Sequence, residues 1–208
     1  MTEINSTTTN EQQINDAANI LYLCTVALRL VKAANLNDTN QAIEKQAQGY
    51  KATLQDDLVN KVTQAAQTDI NKIIENNKNF WSNNKDNLPE SDQMIAAEMA
   101  GCREQIGDKI TDAHQRLELC DTLQHVLSRA MWYMDKFNDK PFAHTSAYPD
   151  EIGFVSILTS IKEQHKTIEV PEKKQTFAEY TQGVAYQRAW KNSDAIINNM
   201  KKHCNADE

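Results

Sequence analysis

Only five glycines and four prolines interrupt 208 residues, and both types end helices, so the elements must be long. Cysteine is also scarce. The four residues, Cys24, Cys102, Cys120 and Cys204, form no C-x-x-C pair and no zinc-like spacing, a usage that suits a reducing compartment. Basic residues are missing from the start, where no Lys or Arg precedes Arg29. The opening therefore lacks the charged n-region of a secretory signal, and a cytoplasmic chain is expected, with signal-independent export equally compatible. The apolar run Ile20 to Leu28 is too short to span a bilayer, so no membrane span is expected. No Lys/Arg-dense stripe appears, and the net charge is −7, which disfavours DNA or RNA and suits a basic protein surface instead. The patterns G-x-S-x-G, G-x-x-x-x-G-K, H-E-x-x-H and G-x-G-x-x-G are all absent, which removes the commonest signatures of hydrolases, nucleotide-binding enzymes and zinc proteases.

What the chain does contain is helical periodicity. Residues 39 to 82 carry a seam of Ile43, Ala47, Tyr50, Leu54, Leu58, Val62, Ala66, Ile70 and Ile73, spaced mostly by four. Residues 90 to 137 carry another, from Ile95, Met99, Cys102 and Ile106 through Ile110, Ala113, Leu117, Cys120, Leu123 and Leu127 to Met131 and Met134. Steps of four fit bundle packing better than a two-stranded coiled coil, whose period is three and a half. The reading is an all-α bundle of about five helices built on a long antiparallel hairpin. Residues 1–10 form a disordered tail, and 11–204 form one helical domain. The first helix, from about Glu11 to Leu36, is apolar all round at ILYLCTVAL and belongs at the centre.

The second helix should start with an Asp38 cap and fray beyond Asn76. The third should start near Pro89 to Ser91 and continue to about Asn138, with Gly101 and Gly107 as weak points; unbroken, it would be roughly 70 Å long. A fourth helix follows Pro149 and ends near Lys166. A fifth opens at Thr176, with Glu179 completing a capping box, and ends near His203. Cys102 and Cys120 read as seam residues, and Cys204, next to His203, reads as the exposed thiol.

Two groups of side chains are candidates for function. His114, Glu118, Asp121 and His125 follow at steps of four, three and four, which puts imidazoles and carboxylates on one helix face. These are metal-ligand types, and the second functional reading is a metal-dependent helical-bundle enzyme centred on them. Against it stand ordinary i,i+4 pairing and the absence of the Glu-x-x-His motif of di-metal bundles. The other group is aromatic. Met131, Trp132, Tyr133 and Met134 are four large neighbours that cannot all face one core, and Phe137, Phe142, His144 and Tyr148 follow closely. Residues 131–148 are therefore the candidate partner-binding patch, with burial beneath the fourth and fifth helices as the competing reading. Tyr186 and Trp190 fit a core role equally well. The first functional reading is a non-enzymatic protein-binding module, such as an adaptor, chaperone-like escort, inhibitor or immunity-type protein. It needs no cofactor, and homodimerisation is one way to cover such a face.

Overall fold

A computed structural model describes residues 4–36, 40–85, 92–137, 159–166, 168 and 175–204, and among these every regular element is helical. The helices are α1 (Ile4–Ala33), α2 (Asn40–Lys51), α3 (Asp56–Asn83), α4 (Asp92–Met99), α5 (Arg103–Phe137), α6 (helical residues 159–166) and α7 (Gln175–Cys204). They pack as a bundle around α1, which touches α2, α3, α5 and α7.

The central place of α1 follows from its composition. Ile20, Leu21, Tyr22, Leu23, Cys24, Val26 and Ala27 lose all contact with solvent, so only a narrow strip at Thr25, Leu28, Arg29 and Lys32 remains to turn outward. Burying each large side chain there contributes about 1.5–3 kcal/mol relative to exposure. The apolar stretch is longer than the run Ile20 to Leu28 suggests: Glu11–Ala33 is long and apolar enough to cross a membrane, and 78% of its apolar window is buried inside the bundle. The helix starts at Ile4 rather than near Glu11 and stops at Ala33. Asn35 sets the stop by taking φ 54°, while Leu36 N–H donates to Val31 O and Asn35 N–H to Lys32 O. Those two bonds define a Schellman ending with Asn in the left-handed position. Arg116 Nε, from α5, donates to the carbonyl of Ala34 at 3.2 Å and ties this end to the neighbouring helix.

Two expected continuous helices are each divided in two. Between α2 and α3 the Thr53 hydroxyl donates to Tyr50 O, and Gln55 is extended at φ −72°, ψ 146°. Thr offers the backbone a local alternative to the helix ladder, and Asp56 and Asp57 then favour a new helix N-terminus. The expected Asp38 cap and the start at Pro89 to Ser91 lie outside the described residues. Between α4 and α5 the break falls at Gly101, φ 71°, where Cys102 N–H donates to Ala97 O and Gly101 N–H to Glu98 O. Gly107, the other weak point, is buried within α5. That helix therefore spans 35 residues, about 52 Å, rather than 70 Å.

The seams hold where the helices are continuous. On α3 the buried positions are Val62, Ala66, Ile70, Ile73, Asn77 and Trp81, so the helix carries four-residue steps past the expected frayed end at Asn76. On α5 the stripe is buried from Ile110 to Leu127 and again at Met134, with Met131 half-buried. On and beside α4, Ile95, Met99 and Cys102 are exposed, contrary to the seam reading, because the turn at Gly101 re-aims that segment. Trp81 beside His114, and Lys85 beside Asp108, show that α3 and α5 run in opposite directions.

Candidate functional site

On α7, Ala185, Ala189, Ser193, Ile196, Met200 and Cys204 are buried, at steps of four and three. A residue one position along a helix is rotated by about 100°, so Tyr186, Trp190 and Asp194 leave this face by construction. Tyr186 remains 53% exposed and Trp190 52%. His125 of α5 meets both, its ring centroid 5.0 Å from Trp190 edge-on and 6.0 Å from Tyr186. Next to this aromatic group α5 and α7 part into an open groove of about 270 Å³, with Arg129 and Trp132 on one wall and Asp194 and Ile197 on the other. The Arg129 guanidinium lies 5.3 Å from the Trp132 ring and the Lys136 ammonium 4.6 Å from it, so cations border the indole. Among the described residues neither Arg129 nor Asp194 has an ion-pair partner.

The placement of α7 beside α5 depends on Glu118. Its side chain is fully buried, and Trp81 Nε1–H of α3 donates to Oε2 at 2.7 Å. From α7, Arg188 Nε donates to the same oxygen at 2.8 Å and Asn192 Nδ2 to Oε1 at 2.8 Å. Three donors from two helices converge on one carboxylate. The Arg188 guanidinium also lies 3.6 Å from the centroid of Phe80. A buried charge with this much hydrogen bonding is tolerated, whereas removing its acceptor would strand three donors.

The other members of the proposed ligand stripe have separate partners. His114 is fully buried and stacks on Trp81 at 5.1 Å, with neither ring nitrogen hydrogen-bonded. Burial in this apolar stack pushes its pKa down to about 4. Asp121 faces His165 of α6 at 3.2 Å, an ion-pair contact outside hydrogen-bond geometry at Nε2. Among the described residues, no three His, Cys, Asp or Glu side chains converge as a metal-binding group. The four residues do share one side of α5, but they engage α3, α6 and α7 rather than one another.

The aromatic patch divides as well. Tyr133 is buried at 6% exposure, and Met134 beside it is buried too. Met131, Trp132 and Phe137 are half-buried against the core, with Phe137 edge-on to Tyr50 of α2 at 5.2 Å. Phe142, His144 and Tyr148 lie outside the described residues. Among the described residues of the proposed patch, only Trp132 joins the groove. Its companions Tyr186 and Trp190 were legible one position off the small-residue stripe Ala185, Ala189, Ser193. Trp81 was legible as the next four-residue step after Asn77.

The thiols correct the sequence expectation twice. Cys102 is the exposed one, and Cys204 is buried, its Sγ 3.6 Å from Ala18 O. Burial pushes Cys24, Cys120 and Cys204 up to about 12. Compared with family models, curated proteins and solved structures, the chain has no match.

Proposed function

We propose that this chain is a non-enzymatic protein-binding module that engages its partner through the face shared by α5 and α7. The observation that carries this reading is the half exposure of Tyr186 and Trp190, adjacent on one helix face, with Trp190 lining a groove. Tyr, Trp and Arg are the residue types that dominate binding energy at protein interfaces, and all three occur here. The residues with acid–base chemistry on α5 support the same view, because His114, Glu118 and Asp121 are each engaged in contacts that hold helices together. An adaptor, escort, inhibitor or immunity-type protein would each use such a surface.

The test is a binding comparison between the wild-type chain and Trp190→Ser, with circular dichroism confirming equal helicity. Partners recovered from the native host by the wild type should be lost with Trp190→Ser and retained with a control such as Lys45→Ser, on the exposed side of α2. Equal recovery by all three proteins would overturn the assignment of this face.

A further inference from the structure

The net charge of −7 makes two copies of this chain repel at long range, but that repulsion is largely screened beyond about 8–10 Å at moderate salt, and the occupant of a groove is selected by the charges lining it. Here those are one cation and one anion. Arg129 stands on the α5 wall and Asp194 on the α7 wall, neither with an ion-pair partner among the described residues, and apolar surface from Trp132, Trp190 and Ile197 lies around them. The two helices run in the same direction: Glu118 contacts Arg188 and Asn192, while the groove further along pairs His125 and Trp132 with Trp190 and Ile197. Such a face complements itself. Rotation by 180° about an axis lying along the groove lays α5 of one copy over α7 of another without reversing their direction. Arg129 then faces Asp194, and the apolar residues of α5 and α7 face each other. The same contacts recur on the other side of the axis.

We propose that the occupant of the α5–α7 groove is a second copy of this chain, packed across a two-fold axis along the groove, with Arg129 of each copy meeting Asp194 of the other. This rests on the reading of the face as a protein-binding surface and names the partner. The size of the surface sets the strength. From Tyr186 to Ile197 the stripe is about 16 Å long, and two helices side by side are about 20 Å wide, giving a projected area of roughly 300 Å². A standard interface takes about 800 Å² from each partner, so this dimer is weak and concentration-dependent rather than obligate.

Sedimentation velocity over a concentration series tests it with the full chain. The wild type should pass from monomer to dimer. Arg129→Asp and Asp194→Arg should each weaken association by about tenfold or more, because like charges then face each other twice. The two substitutions combined in one chain should restore the dimer, and an equimolar mixture of the two single variants should form a heterodimer that neither forms alone. Restoration requires folded protein, so it separates lost contact from lost structure. A wild type that stays monomeric throughout, or association unchanged by the single reversals, or a double reversal that fails to recover, would overturn the proposal. If the wild type is monomeric yet binds a different protein in a Trp190-dependent way, the second copy is removed and the protein-binding face stands. If binding is also indifferent to Trp190, both readings fall.

Discussion

Replacing Glu118 by leucine removes the one acceptor shared by Trp81, Arg188 and Asn192 while keeping similar volume. The cost is set by what happens to each donor. Trp81 is fully buried, so its indole N–H loses a partner with no water to replace it, a penalty of about 1–3 kcal/mol. The Arg188 side chain is 25% exposed and can turn its guanidinium toward solvent, which keeps its contribution well below that of a sealed charge. Breaking a buried pair from one side typically costs about 3–5 kcal/mol, and the partial exposure of Arg188 places Glu118→Leu near about 3 kcal/mol. Glutamine should behave differently. Its amide oxygen can accept from Trp81 and Arg188, and its NH₂ can donate to Asn192 once that amide flips, so only charge assistance is lost, about 1–1.5 kcal/mol. Urea unfolding at neutral pH measures both, with unchanged slopes indicating that the unfolded reference is the same. Equal costs for leucine and glutamine, or a leucine cost below about 0.5 kcal/mol, would refute the claim that this carboxylate holds α3, α5 and α7 together.

His114 gives a pH signature. Its pKa falls from 6.5 in the unfolded chain to about 4 in the fold, so the unfolded state binds more protons between those values and stability drops as pH falls. The loss approaches about 1.4 kcal/mol per pH unit and totals about 3 kcal/mol, levelling below pH 4; His114→Phe should remove this slope from unfolding curves measured between pH 7 and 4, and a persistent slope would assign it elsewhere. Asn35→Gly should raise the melting free energy by up to about 1 kcal/mol, because Asn35 holds a left-handed backbone at φ 54° that glycine adopts without strain. Gly101→Ala should cost about 1 kcal/mol through backbone strain alone, since no atom lies within 4 Å of the added methyl; a neutral result would mean that the turn relaxes. Thiol titration of the native protein at neutral pH should find one fast cysteine, Cys102, with Cys24, Cys120 and Cys204 reacting only as the bundle opens.

Helical seams were legible because burial repeats with the helical period: Val62 through Ile73 and Ile110 through Leu127 are buried as their spacing predicts. Helix ends were less legible, because the chain writes them in backbone. Gln55 precedes α3 without any side-chain cap, and Asn35 ends α1 through its φ, so neither residue type announces the boundary on its own. Gly101 did announce itself. The candidate sites were legible only in part, for a related reason. Crowding at 131–134 says that some side chains must leave one face, but not that neighbouring helices then cover Tyr133 while leaving Trp190 outside. For α7 the signal was the small-residue stripe, which defines a buried face and so assigns Tyr186 and Trp190 to its border.

The α5 stripe shows how ligand-like spacing can serve packing between helices. His114 and Glu118 are fully buried, and Asp121 and His125 half-buried, so the stripe passes from core to surface along one side of the helix. At each step the partner changes: Trp81 of α3, then α3 with α7, then His165 of α6, then the aromatics of α7. Apolar seams spaced by four tolerate sliding by a turn, because one leucine or alanine resembles the next. A carboxylate that needs three donors at 2.7–2.8 Å tolerates no such shift. The stripe therefore selects one register among those the seams allow, and that register is what brings Trp190 and Asp194 opposite Trp132 and Arg129. On this reasoning Glu118→Leu should alter the proposed binding face as well as stability, whereas Glu118→Gln, which keeps acceptors for Trp81 and Arg188, should leave any binding through that face nearly intact. A leucine variant that stays folded and binds as the wild type does would show that apolar packing alone sets the register of α7.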